Sequence, residues 1–237
     1  MLPSPKLTEK DIVERILFRD SLMLIINKPP GLPVHAGPKA GANMEQTFHW
    51  LQFGLPRKPG LAHRLDRDTS GCLILGRHPK ALTKLGRLFQ RGAIEKTYWA
   101  VCVGAPPEDT GVCTLPLKKR SDSKTSWWME IAKEGAQGAM AAETRWKVLA
   151  KNDRLSLVEF SPKTGRTHQI RVHAEALGCP LLGEPVYGDL PEEFRKVPIH
   201  LHARSVKVPL YPSRDAIFAE APLPPHMGET LKHEDLQ

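Results

Sequence analysis

Residues 63–76 read HRLDRDTSGCLILG, with two arginines, two aspartates and a histidine in nine residues, followed by an apolar run. A surface loop carries such charges freely, but a loop that enters a core strand holds its ionised groups in a partly desolvated place, where their chemistry shifts. CLILG is short, continuous and apolar, the pattern of a buried strand. Asp66, beside Arg64 and Arg67, stays ionised there and can serve as nucleophile or base. The same spacing also describes an ordinary structural ion pair of Asp66 with Arg64 or Arg67.

The surroundings of this stretch are basic. Between Pro56 and Ala100, ten Lys and Arg stand against three acids, so one fifth of the chain holds nearly all of its net charge of +8. Charge concentrated in this way points to a polyanionic partner. Pro79 suits a first helical position, and KALTKLGRLFQRG sets Leu82, Leu85 and Phe89 on one side with Gly92 as a stop. Lys80, Lys84, Arg87 and Arg91 line the opposite side with no acid among them. Repulsion between like charges four residues apart disfavours such a stripe unless phosphates face it; the other reading is a plain solvated face.

Further out, IVERILF and LMLIINK flank Arg19-Asp20-Ser21 and read as two short strands stopped by Pro29-Pro30-Gly31. Asn43 and Gln46 form a capping-box signal for a helix through EQTFHWLQF. EKTYWAVCVG alternates Tyr98, Ala100 and Cys102 against Trp99, Val101 and Val103, as a strand does. KKRSDSKTSWW, residues 118–128, mixes basic residues with two tryptophans and reads either as an RNA contact or as a hairpin tip. ETRWKVLA and RLSLVEF follow as a strand pair. SPKTGRTHQIRVHAEALG then makes a helix with Ile170, Ala174 and Leu177 on one face, His168, Arg171 and Glu175 on the other, and Gly178 at its end. Arg171 there can pair locally with Glu175.

Strands outnumber helices and are often adjacent in sequence, which predicts an α+β fold with a mixed, largely antiparallel central sheet flanked by helices. At 237 residues and 41% hydrophobic content the chain can bury a real core. One domain over 16–221 is expected, between an N-terminal tail, 1–15, and a loosely held C-terminal tail, 222–237. MLPSPKLTEK lacks the apolar segment of a secretory signal and no run of eighteen apolar residues occurs, so a cytoplasmic protein without a membrane partner is expected. The four cysteines are scattered without a CxxC pair, which argues against a disulfide framework or zinc site.

Two catalytic readings fail on their residues. His200-Leu-His202 can place two imidazoles on one strand face, but a third ligand and an HExxH motif are lacking, so no metal is expected. LDRDTS approaches the DxDx[TV] motif of haloacid-dehalogenase-type phosphatases, yet Ser70 stands where Thr or Val belongs and Gly60–Leu65 is not the apolar strand that motif follows.

HRLDRDTSG before an apolar strand, then EKTYWAVCVG, TGRTHQIRVHAEALGCPLLGEPVYG and IHLHARSV, resembles in order and spacing the RluA family of RNA pseudouridine synthases, from about Ile16 to about Val208. The family's S4-type RNA-binding module has no counterpart, so the chain resembles the short, catalytic-domain form. The resemblance implies the pseudouridine synthase fold and isomerisation of uridines in structured ribosomal or transfer RNA, without cofactor. It makes Asp66 the catalytic aspartate, Arg171 the arginine that pairs with it, and Tyr98 the tyrosine that stacks on the target base and assists the last proton removal. Leu201 would pack on the base's other face and Arg64 would fill the gap left by an extruded base. Arg166 and His168 are further RNA-contacting candidates, with the Lys80, Lys84, Arg87 and Arg91 stripe. A monomer is expected. The rival is an RNA-binding protein of this fold without catalysis, for which an intact Asp66, Tyr98 and Arg171 set would be unnecessary.

Overall fold

The computed structural model describes residues 4–36, 41–121 and 127–236. The expected 16–221 domain holds two compact units, one formed by Met1–Lys96 with His202–Pro224, the other by Thr97–Leu201 with Pro225–Gln237.

The first unit begins with a helix where the sequence suggests a tail running into a strand. Thr8 Oγ1 accepts from Asp11 N and Asp11 Oδ2 accepts from Thr8 N, a complete capping box that opens α1 (Glu9–Glu14). This local signal outweighs the β-preference of Ile12-Val13, and Ile12 is fully buried. Strands β1 (Ile16–Arg19) and β2 (Met23–Lys28) then form a hairpin, its turn held by Asp20 Oδ1, which accepts from Leu22 N and Met23 N. The helix expected after Asn43 is a 3₁₀ helix, Met44–Leu51, with Gln46 Oε1 accepting from Asn43 N as anticipated.

After the two-residue β3 (Gly60–Leu61) comes β4 (Ser70–Gly76), buried along its whole length. It runs antiparallel to β2 and β3 and parallel to β11 (Leu201–Val208), which pairs in turn with β12 (Ile217–Glu220), so the sheet is mixed. The parallel pairing needs Gly71: at φ +103° a side chain is strained, and a Cβ there would lie 2.2 Å from Ala203 O. Helix α2 (Pro79–Gln90) starts on His78, whose Nδ1 accepts from Ala81 N. It seats Leu82 over Gly76, where a Cβ would come within 2.7 Å of the leucine's Cγ.

In the second unit, β5 (Glu95–Val103), β6 (Thr110–Cys113), β9 (Thr144–Lys151) and β10 (Leu155–Pro162) make an antiparallel sheet in the order β5-β10-β9-β6. A separate hairpin joins β7 (Leu117–Ser121) to β8 (Trp127–Ile131); residues 122–126 of the basic, tryptophan-containing stretch lie outside the described residues. Helix α3 (Gln169–Ala176) sends Ile170 and Ala174 into a core with Ala100, Cys102, Val158 and Phe160. Gly178, at φ +75°, closes it while Cys179 N donates to Ala174 O. A short α4 (Glu192–Arg195) follows. The expected loose C-terminal tail is corrected: α5 (Pro225–His233) is docked, with Met227 and Leu231 buried, Thr230 Oγ1 at 2.9 Å from His200 Nε2, and Glu234 O accepting from Asn152 Nδ2. Among the described residues no helix is long and apolar enough to cross a membrane.

Candidate active site

The HRLDRDTSG loop is pinned at both ends. Ile74 N of β4 donates to His63 Nε2 at 3.0 Å, and the imidazole lies against Phe89 of α2, ring centroids 4.8 Å apart. Burial, with Lys96 nearby, pushes His63 down to about 3, so the ring is neutral and its Nε2 is an acceptor. The first residue of the motif is thus a structural peg. At the other end Thr69 and Ser70 are buried, and Ser70 Oγ lies 2.8 Å from Nδ1 of the buried His202. Between these pegs Leu65 faces inward, Asp66 is half-buried and Arg64 is exposed.

Lys28 lies under this loop and was not singled out by sequence. It is fully buried at the end of β2, and its Nζ donates to Pro29 O and Leu32 O at 2.8 Å and to Arg67 O at 2.9 Å. Burial pushes the ammonium down to about 7, while Asp68 and Asp66 pull it back up. Three carbonyl acceptors match the three N–H bonds of the charged form; a neutral amine would turn a lone pair towards one of them. The three acceptors therefore favour the ammonium form of Lys28 beneath the loop, against the burial that opposes it. Arg67 braces the same corner, donating from Nε to Gly31 O at 3.1 Å with Asp68 at 3.9 Å. A lysine closing the strand MLIINK just before PPG was the sequence signal for this role.

The second unit carries the other candidates. Tyr98 packs, half-buried, against the core that contains Leu201, Ile170 and Ile199, so Tyr98 and Leu201 share one apolar wall. Arg171 does not form its bidentate pair with Glu175, one helical turn on. Its Nε and Nη2 donate to Glu184 Oε2 and Oε1 at 2.8 and 2.6 Å, and its guanidinium lies 5.0 Å from the Tyr187 ring centroid. Glu184 comes from a loop, so helical periodicity could not find it. His168 is the residue before α3, at φ +53°, with Nδ1 2.7 Å from Tyr187 Oη and its ring stacked on exposed Trp127. Arg166 is exposed and donates from Nε to Ala141 O.

Gln169 and His173 of GRTHQIRVH are scaffolding. Gln169 binds Thr164 Oγ1, Arg166 N, Glu143 O and Thr144 Oγ1. His173 spans Thr144 Oγ1 and Leu115 O. These bonds satisfy groups buried where the helix start meets β9.

On α2, Lys80, Arg87 and Arg91 are exposed, whereas Lys84 is half-buried with its Nζ 5.4 Å from the Tyr211 ring centroid. His200 and His202 are committed to hydrogen bonds with Pro198 O, Thr230 Oγ1, Ser70 Oγ and Ala221 O. Among the described residues no group of three or more His, Cys, Asp or Glu could hold a metal ion.

Comparison with known proteins bears on this arrangement. Residues 22–176 match the model of the RNA pseudouridylate synthase family. The chain is 43% identical over 214 residues to an uncharacterized RNA pseudouridine synthase of Zymomonas mobilis, covering 90% of this chain and 95% of that one. It is 35% identical to the ribosomal large subunit pseudouridine synthase C of Rickettsia conorii over 78% of this chain and 59% of that protein. The solved structure of human RNA pseudouridylate synthase domain containing 4 superposes with a TM-score of 0.82 at 28% identity, covering 97% of this chain and 96% of that one.

Proposed function

The chain belongs to the RNA pseudouridylate synthase family, and from that premise we propose that it isomerises particular uridines of structured RNA, ribosomal or transfer, through Asp66. The observation that carries the reading is the seat of Asp66: a half-buried carboxylate on a loop pinned at His63 and Ser70 and tied at Arg67 O to the buried Lys28. A carboxylate held in this way is aimed and partly shielded from water, which suits attack on an electrophilic carbon or removal of a ribose proton. Ribosomal RNA is favoured by the name of the Rickettsia relative.

In the same proposal the glycosidic bond to N1 of uracil breaks, the base turns, and C5 joins the same ribose carbon, so the atoms of the product are those of the substrate. Tyr98 stacks on the uracil and Leu201 packs on the base's other face, both belonging to one apolar core. Tyr98 also carries the phenol that assists proton removal at C5, and Arg171 supplies a cation for the carboxylate. Arg64, exposed two residues before Asp66, fills the stack that an extruded base leaves, an extrusion that costs a few kcal/mol. Arg166, His168 and the α2 stripe contact RNA outside the reacting nucleotide. The enzyme works as a cytoplasmic monomer without a cofactor.

The test is Asp66→Asn, which keeps shape and loses charge. RNA affinity should stay within about twofold while tritium release from RNA tritiated at uracil C5 disappears. Substantial release by the variant would remove Asp66 from the chemistry.

A further inference from the structure

Glu184 is buried to 0% side-chain exposure beside an Arg171 exposed to 9%. Its carboxylate is fully occupied. Oε2 accepts from Arg171 Nε, and Oε1 accepts from Arg171 Nη2 and from the backbone N–H groups of Val186 at 2.9 Å and Tyr187 at 3.3 Å. The same acid thus grips the guanidinium edge and folds the turn that brings the Tyr187 ring to the guanidinium, 5.0 Å from its centroid. Tyr187 is itself locked, its Oη accepting from Met129 N at 3.0 Å and lying 2.7 Å from His168 Nδ1.

We propose that Glu184 is a positioning residue for the isomerisation: through its bidentate bond and the Tyr187 floor it holds Arg171 in one orientation, with the remaining guanidinium donors directed to the reaction. This rests on the reading of Arg171 as a residue of the active site. A buried ion pair contributes little net stability compared with an apolar pair of the same volume, so stability alone does not account for a fully buried acid here. What the fork does supply is direction. An arginine side chain has four rotatable bonds, and two parallel N–H···O bonds together with a ring against its face leave the guanidinium one plane. Helical periodicity does not mark Glu184, which stands in the loop LLGEPVYG, thirteen residues after Arg171.

The experiment is a double-mutant cycle on the single-turnover rate with RNA tritiated at uracil C5, using Glu184→Gln, Arg171→Lys and the pair. Glu184→Gln turns an amide N–H towards a donor and releases the guanidinium, so the rate should fall about a hundredfold, as for a misplacement of about 1 Å, with RNA affinity unchanged. In the Arg171→Lys background, where no fork exists to lose, the same change should cost less than about threefold. Equal losses in both backgrounds would show that Glu184 serves only the fold and would overturn the proposal. A parent-like rate for Arg171→Lys alone would overturn the reading of Arg171 itself, a separate and recognisable failure. Glu184→Asp keeps the charge but is one methylene short of holding both arginine and turn. It should retain the parent's circular dichroism and lose about tenfold in rate, and it takes the place of Glu184→Gln in the cycle if that variant does not fold.

Discussion

Lys28 shows how one buried side chain can organise a loop. Its ammonium ties together Pro29 O, Leu32 O and Arg67 O, joining the PPG turn after β2 to the loop that carries Asp66. Lys28→Met fills the same space but leaves three inward carbonyls without a donor, each costing about 1–3 kcal/mol less whatever water recovers. Urea unfolding should therefore show a loss of at least about 2 kcal/mol, and turnover should fall in protein that is still folded. A variant of parental stability would mean that water replaces the ammonium without loss. Tyr98 admits a sharper comparison. Tyr98→Phe keeps the ring against the wall shared with Leu201 and should bind RNA normally while turning over slowly. Tyr98→Ala should also weaken binding, by about 1–3 kcal/mol of stacking. Identical behaviour of the two in binding would count against the stacking role.

Among the elements, α2 is where the charge pattern and the packing divide the work. Leu85 is buried, Leu82 covers Gly76 and Phe89 meets His63, so the apolar side braces the Asp66 loop. The basic side is unevenly exposed: Lys84 is half-buried beside Tyr211, while Lys80 and Arg87, seven residues apart on one face, are exposed. If these two meet phosphates, Lys80→Gln with Arg87→Gln should flatten the dependence of log affinity on log salt by roughly 1–2 units, at about 0.7–0.9 per phosphate contact. The rate at saturating RNA should hardly change, because such contacts position the substrate without stabilising the transition state. Superimposable salt slopes for variant and parent would reduce α2 to a brace with a solvated face.

At the scale of the whole molecule, neutral histidines are built into both units. Burial pushes His63 down to about 3 and His200 to about 4, and lowers His173 and His226 as well. In the unfolded chain each titrates near about 6.5. Below that pH the unfolded state binds protons that the folded state refuses, so stability falls as pH drops from about 6.5 towards the folded values and then levels off. At pH 5.5 His63 and His200 should each account for about 1.4 kcal/mol of lost stability. Urea midpoints measured from pH 7 to pH 5 check this, and a flat profile would mean that these rings titrate in the folded protein as they do in the unfolded chain. If Asp66 supplies the nucleophile or base, turnover should survive excess EDTA on RNA that remains folded, and loss of activity there would overturn that role.

Local and periodic features were readable directly. The apolar run after HRLDRDTSG read as a core strand, the alternation in EKTYWAVCVG as a strand with two faces, and Gly178 as the end of α3, because backbone geometry imposes these patterns on neighbouring residues. The spacing of HRLDRDTSG and GRTHQIRVH was enough to identify the family. Tertiary structure decided what depends on residues far apart in the chain. The ammonium of Lys28 reaches Arg67 O across thirty-nine positions, and Glu184 takes the arginine that helical spacing assigns to Glu175. Ile12 and Leu231 turned nominal tails into docked helices by finding buried places, where a cap or an apolar contact outweighs strand preference and composition. Partners of this kind are chosen by burial, which makes an unpaired inward polar group costly and favours a counterpart wherever the fold brings one.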